Sequence, residues 1–172
     1  MSQATLFHDA SGAEFSACRR YRYRLWRCWD ANRPTMVCIM LNPSVADEVE
    51  VDPTITRCIA RAKRLGFGRL EVLNLFAFVS TDRSALRSID DPVGPDNDTA
   101  IMAACRGAET VLCAWGADGR LKGRDQSVLA QLKAIGVTVS ALTINKDGTP
   151  KHPLYVGNGV DPATWLPSAE ST

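Results

Sequence analysis

The chain has 172 residues, 45% of them hydrophobic and 23% charged, and a formal net charge of +1. That length predicts one domain burying roughly 70% of its unfolded surface, with no disulfide or metal needed for folding. The composition excludes disordered, collagen-like and coiled-coil classes, and the near-zero charge excludes a grip on nucleic acid by bulk charge alone.

The N-terminus carries neither a basic segment nor an apolar run of the signal-peptide kind, and the ordered core is expected over about 15–156, between a flexible N-terminus and a flexible C-terminal tail. Arg20–Trp29 alternates, with Tyr21, Tyr23 and Leu25 on one side and Arg20, Arg22 and Arg24 on the other, which predicts a strand with one dry and one wet face. Asn32, Arg33 and Pro34 interrupt it, and the apolar run Thr35–Leu41 reads as a buried central strand. Asn42 and Pro43 end that strand, and an acidic loop follows. Asp52 is a predicted helix N-cap with Pro53 at the first helical position, and the helix should reach about Leu65 with Gly66 as its stop. Ile55, Cys58, Ile59, Ala62 and Leu65 share its apolar face, and Arg57, Arg61 and Arg64 read as its solvated face.

Leu70–Leu73 is the next predicted strand, ending at Asn74. Residues 79–98 turn polar and read as a long surface excursion, of a length that is often functional. A helix is expected over about Pro95–Cys105, a strand over Thr110–Trp115, a glycine-bearing loop over Gly116–Gly123, a helix over Arg124–Ile135 and a strand over Val137–Leu142. Lys122 and Arg124 at that helix start read as solvated, and a weak helical turn is expected near Pro162–Leu166. Strands alternating with helices after an N-terminal β-hairpin predict an α/β three-layer sandwich with a mainly parallel central sheet.

No run approaches the length of a membrane helix, so no membrane partner is expected. The six cysteines are scattered without a CxxC pair and suggest a reduced, cytoplasmic setting. His8 and His152 are the only histidines, and with no paired ligand spacing neither a metal nor a cofactor is expected. The two common phosphate-binding glycine loops are absent.

In an open α/β sheet, ligands sit at the carboxyl ends of the strands. Those ends carry Asn42 and Ser44, then Asn74, Phe76 and Phe78, then Trp115 and Gly116, and finally Lys151 and His152. Carboxamides, a hydroxyl, an imidazole and an ammonium, walled by Phe76, Phe78 and Trp115, suit a flat polar heterocycle. Each residue also has a plain alternative. Asn42-Pro43-Ser44 and Asn74 are ordinary turn residues, and Asp47 and Asp52 are either solvated loop and cap or a general base for water.

The order LNPS, DPT, VLNLFAF, VGPDND, AWG and GTPKHPLY resembles a bacterial and phage family known as domain of unknown function 1643. More distantly, the Asn-Pro loop, the strand-end Asn and the late His-Pro loop resemble the uracil-DNA glycosylase superfamily. That second resemblance implies a glycosylase-like fold, with Asn42 positioning water, Asn74 reading a base edge, His152 stabilising the departing base and Phe76 or Phe78 stacking. Leu41 stands where the superfamily has glycine, and HPLY replaces the usual HPS. The implied function is binding of a nucleobase or nucleotide, with cleavage of an N-glycosidic bond by a dissociative route. The alternatives are a non-catalytic module recognising a modified base or nucleic-acid end, and a protein whose loop residues merely pin turns. Charge segregation adds that any nucleic-acid grip is local and salt-sensitive: arginines 19, 20, 22, 24, 27 and 33 cluster against one acid, while residues 47–52 are acidic.

Overall fold

The computed structural model describes residues 11–45 and 52–168. Strands β1 (Gly12–Phe15), β2 (Arg22–Cys28) and β3 (Thr35–Met40) precede helix α1 (Pro53–Arg64) and strand β4 (Arg69–Asn74). Then follow α2 (Asn97–Arg106), β5 (Thr110–Cys113), α3 (Arg124–Ala134), β6 (Val139–Ala141) and β7 (Ala163–Thr164). The strands form one sheet in the order β1-β2-β4-β3-β5-β6-β7.

The fold is α/β, but the sheet is mixed rather than mainly parallel. Only the central pairs β4–β3, β3–β5 and β5–β6 are parallel, and β1–β2, β2–β4 and β6–β7 are antiparallel. The N-terminal hairpin is β1–β2, and β2 lies beside β4 instead of its chain neighbour β3. Antiparallel strands can join an edge through short connections, whereas each parallel step needs a crossover. The tail beyond residue 156 also departs from expectation, because the segment near Pro162–Leu166 forms the edge strand β7 and no helical turn.

Local chemistry explains the best-defined element. Asp52 caps α1, its Oδ1 accepting the Thr54 N–H at 2.7 Å, and Pro53 follows where no N–H is required. Beyond α1, Gly66 takes φ +88°, the left-handed conformation that favours glycine. Alternate residues of β3 face opposite cores. Met36, Cys38 and Met40 pack with Ile55, Cys58 and Ala62 of α1, while Val37 and Ile39 pack with Ile101 of α2 and Val128 and Leu132 of α3.

Three arginines read as solvated are buried. Arg61 is 1% exposed, because the chain after residue 156 crosses α1 and covers it. Its Nη2 donates to the Gly157 carbonyl at 2.8 Å and its Nε to the Val160 carbonyl at 3.1 Å. Arg57 donates to Val156 O, and Arg64 pairs with Asp161 at 2.7 Å. Arg124 is 5% exposed, its Nε donating to the Leu75 carbonyl at 2.7 Å and its Nη2 meeting Asp98 at 2.6 Å.

Arg22 is the third. The β1–β2 register runs Glu14↔Arg24 and then Phe15↔Arg22, so Tyr23 is an extra residue on β2. Such a bulge interrupts the alternation and re-aims the side chain beyond it. Arg24 stays with Glu71, while Arg22 joins the face of Val72 and Met40.

Candidate functional site

The parallel strands place their carboxyl ends on one rim, and a cavity of about 740 Å³ opens there. That volume suits one small heterocyclic ligand. Eight of the residues expected from sequence line it: Asn42 and Ser44 after β3, Asp52 before α1, Asn74 closing β4, Trp115 and Gly116 after β5, and Lys151 and His152 in the late loop. Asp47 lies outside the described residues.

Phe76 and Phe78 do not line the cavity. Phe76 is fully buried in the core with α2 and α3. The ring of Phe78 is covered by Tyr21 at 6.1 Å and by the Arg20 guanidinium at 5.6 Å. Both lie past the point where β4 ends, so strand alternation no longer governs where they face. Of the three aromatic walls expected, only Trp115 lines the cavity, where Tyr155 joins it.

Asn74 is 2% exposed, and its Nδ2 has no hydrogen-bond partner. A buried donor left unmade costs about 1–3 kcal/mol, so it marks a place where a partner is needed. Its backbone is fixed from behind. Asn97 Nδ2 donates to the carbonyls of Asn74 at 2.9 Å and Leu75 at 3.1 Å, and Arg124 holds Leu75 as well. The first residue of α2 and the first of α3 therefore rigidify the end of β4.

His152 caps the short 3-10 helix Pro153–Tyr155, its Nδ1 accepting the Leu154 N–H at 3.3 Å. This bond leaves the proton of the neutral ring on Nε2. Burial lowers the His152 pKa below the ordinary 6.5, and Arg83 lowers it further, against an opposing effect of Asp52. The imidazole is thus a neutral donor at neutral pH.

Asn42 Nδ2 donates to the carbonyls of Ser80 at 2.8 Å and Pro43 at 3.2 Å, which ties the Asn-Pro loop to the 79–82 segment and leaves Oδ1 as the acceptor offered to a ligand. Asp52 Oδ1 is used by the helix cap, and its Oδ2 accepts from Ser44 Oγ at 3.2 Å. The carboxylate therefore joins the loop to α1 while its charge faces the cavity. Gly116 takes φ +75° and donates its N–H to the Pro150 carbonyl at 2.9 Å, tying the end of β5 to the late loop. Gly119 lies so close to Trp115 that a Cβ there would sit 2.1 Å from the ring.

Sequence reasoning missed Arg22, Tyr155 and the mouth residues Asp82, Arg83 and Asp118. Arg22 is 6% exposed, and burial lowers its pKa to about 10 while Asp52 opposes that shift. Asp118 meets Arg83 and Arg87, both at 3.3 Å, linking the 3-10 helix Arg83–Arg87 to the loop after Gly116 across the mouth. The row Arg20, Arg22 and Arg24 suggests an anion or a partner, but the bulge hides from the sequence that Arg22 alone turns to the cavity. Tyr155, in contrast, could have been found as the residue closing the His-Pro loop.

No group of three or more His, Cys, Asp or Glu suited to a metal exists among the described residues. Among them, no helix is long and apolar enough to cross a membrane. A family model described as "Protein of unknown function (DUF1643)" matches residues 22–154. No curated protein and no solved structure matches the chain.

Proposed function

We propose that this chain, which belongs to the DUF1643 family of unknown function, binds a nucleobase or nucleotide in the rim cavity and hydrolyses its N-glycosidic bond. The observation that carries this reading is the unpartnered Asn74 Nδ2, in the same cavity as Asn42 Oδ1 and the neutral His152. In it, the fold is a glycosylase-like three-layer arrangement of one domain. Asn74 takes the edge of the base, and His152 Nε2–H donates to a base oxygen.

The C1′–N bond then breaks with its electron pair moving onto the base. His152 stabilises that developing negative charge, a contribution that is commonly large in such sites. Asn42 Oδ1 holds the water that adds to the sugar cation, the charge of Asp52 stabilises that cation, and the water's proton ends on the released base. Lys151 and Ser44 supply further polar contacts at the wall.

One observation favours a second reading, a binding module without turnover. Among the described residues each carboxylate at the cavity is already engaged: both Asp52 oxygens accept hydrogen bonds, Asp82 accepts from Ser84, and Asp118 pairs with Arg83 and Arg87. Incubation with single strands and duplexes carrying uracil, hypoxanthine or hypermodified bases separates the two. Abasic sites that vanish in Asn74→Ala and His152→Ala support hydrolysis. Binding without abasic sites, weakened by the same variants, supports the module. Variants that change neither refute both.

A further inference from the structure

Tyr155 is 71% exposed and lines the cavity. Its exposure does not come from a loosely held segment. Pro153 and Val156 on either side are buried, the Tyr155 N–H donates to the His152 carbonyl at 3.1 Å, and Arg57 reaches the Val156 carbonyl at 3.4 Å. The ring stands 5.9 Å from the His152 ring, tilted by 55°. Its backbone is therefore held, and its ring stands just outside the place where the candidate histidine works.

The surroundings are those of a strand-binding mouth. Val45, 65% exposed, follows the cavity residue Ser44, and Ile144, 41% exposed, precedes the cavity residue Asn145. Lys151 and Arg83 line the same mouth, and Arg57 lies beside the next residue of the turn. Three acids line it as well: Asp52 caps α1, Asp82 caps the 3-10 helix Arg83–Arg87 through Ser84, and Asp118 pairs with Arg83 and Arg87. Lys151 and Arg57 are thus the mouth cations without a carboxylate partner among the described residues. An aromatic face among cations binds single-stranded nucleic acid by stacking, because every base offers a π-face.

We propose that Tyr155 is the stacking platform for the base next to the one held in the cavity, so that the ligand is a single-stranded nucleic acid and not a free nucleotide. This rests on the base-pocket reading of Asn74 and His152. The platform reads no hydrogen-bond pattern, so it tolerates any neighbouring base, and its grip weakens with salt.

The test is fluorescence anisotropy with short labelled single strands of mixed sequence, with unlabelled mononucleotides as competitors. Tyr155→Ala should weaken strand binding about 10- to 100-fold. Tyr155→Phe should retain it, and competition by mononucleotides should be unchanged in both. Equal losses for strand and mononucleotide in Tyr155→Ala would overturn the proposal, making the ring a cavity wall. Unchanged strand binding in Tyr155→Ala, with losses in Asn74→Ala and His152→Ala, overturns the platform and leaves the pocket reading intact. Weakening by Tyr155→Ala alone, with Asn74→Ala and His152→Ala unchanged, removes the pocket reading and overturns the proposal with it, leaving Tyr155 as a stacking surface that serves no held base. No strand binding by the wild-type chain overturns both.

Discussion

Replacing Arg61 with methionine tests how the chain beyond residue 156 is held on α1. Arg61 gives two charged hydrogen bonds, to Gly157 O at 2.8 Å and Val160 O at 3.1 Å. Hydrogen bonds from a charged donor contribute about 1.5–3 kcal/mol each. Part of that loss is recovered, because both carbonyls belong to exposed residues that water can reach. Arg61 Nη1 is also buried without an acceptor, so methionine relieves an unmet donor while keeping much of the apolar stem. The balance is a net loss of about 2–3 kcal/mol, and at about 2–4 °C per kcal/mol for a chain of this size Tm should fall about 4–12 °C. Urea denaturation gives the free energy, and amide hydrogen exchange locates it. Protection should fall at 157–165 and be retained in β3 and β4. An Arg61→Met protein within about 0.5 kcal/mol of wild type, with exchange at 157–165 unchanged, would refute the assignment of these bonds as the clamp.

Three further outcomes are expected. The lowered His152 pKa means that the unfolded chain binds more protons than the folded one below the ordinary value of 6.5. Its contribution to stability should be present above about pH 6.5 and lost as pH falls through the folded pKa, and His152→Asn should remove that part of the urea-midpoint profile. Asn97→Ala removes two buried donations to the end of β4, offset partly because Asn97 Oδ1 is itself buried without a partner. It should cost about 1–3 kcal/mol in thermal unfolding and reduce ligand affinity through misplacement of Asn74. Cys18 is exposed with its pKa lowered, chiefly by a hydrogen bond from Ser16, whereas burial raises Cys113 and pushes Cys105 to about 12. Titration of the native protein with a chromogenic disulfide should give one fast thiol, absent in Cys18→Ser.

Elements governed by local chemistry were legible in the sequence. The Asp52-Pro53 start of α1 and the Gly66 stop follow from caps, and Thr35–Met40 follows from an uninterrupted apolar run. The rim residues Asn42, Asn74 and Gly116 were legible because strand ends follow from where apolar runs stop, whereas His152, in a loop well past the end of β6, was legible as one of two histidines in a polar Lys-His-Pro stretch. What depends on distant chain was not. Arg61 has the spacing of a solvated face and is buried only because residues about 100 positions later cross it, as Val160 does. Arg124 is likewise drawn inward by the Leu75 carbonyl, just past the end of β4, and by Asp98. Phe76 and Phe78 follow a strand end and were placed at the rim with it. In the structure one enters the core and the other is covered by the hairpin side chains Tyr21 and Arg20.

Arg22 shows why a strand-end rule finds only part of such a site. The rule looks to the carboxyl ends of parallel strands, and β2 is antiparallel to β4. The pairing Leu25↔Val72 carries the beginning of β2 alongside the end of β4, and the Arg22 N–H donates to the Ala77 carbonyl at 2.9 Å. An amino-terminal residue of one strand thus reaches the rim built by the carboxyl ends of others. Direction alone would still leave Arg22 on the Arg24–Glu71 face. The extra residue Tyr23 turns it across the sheet, to the cavity side where Asp52 lies. The mixed sheet is therefore part of how this site acquires a buried cation: a wholly parallel sheet would bring only carboxyl-terminal residues to the rim, and an unbulged hairpin would leave the arginine on the opposite face.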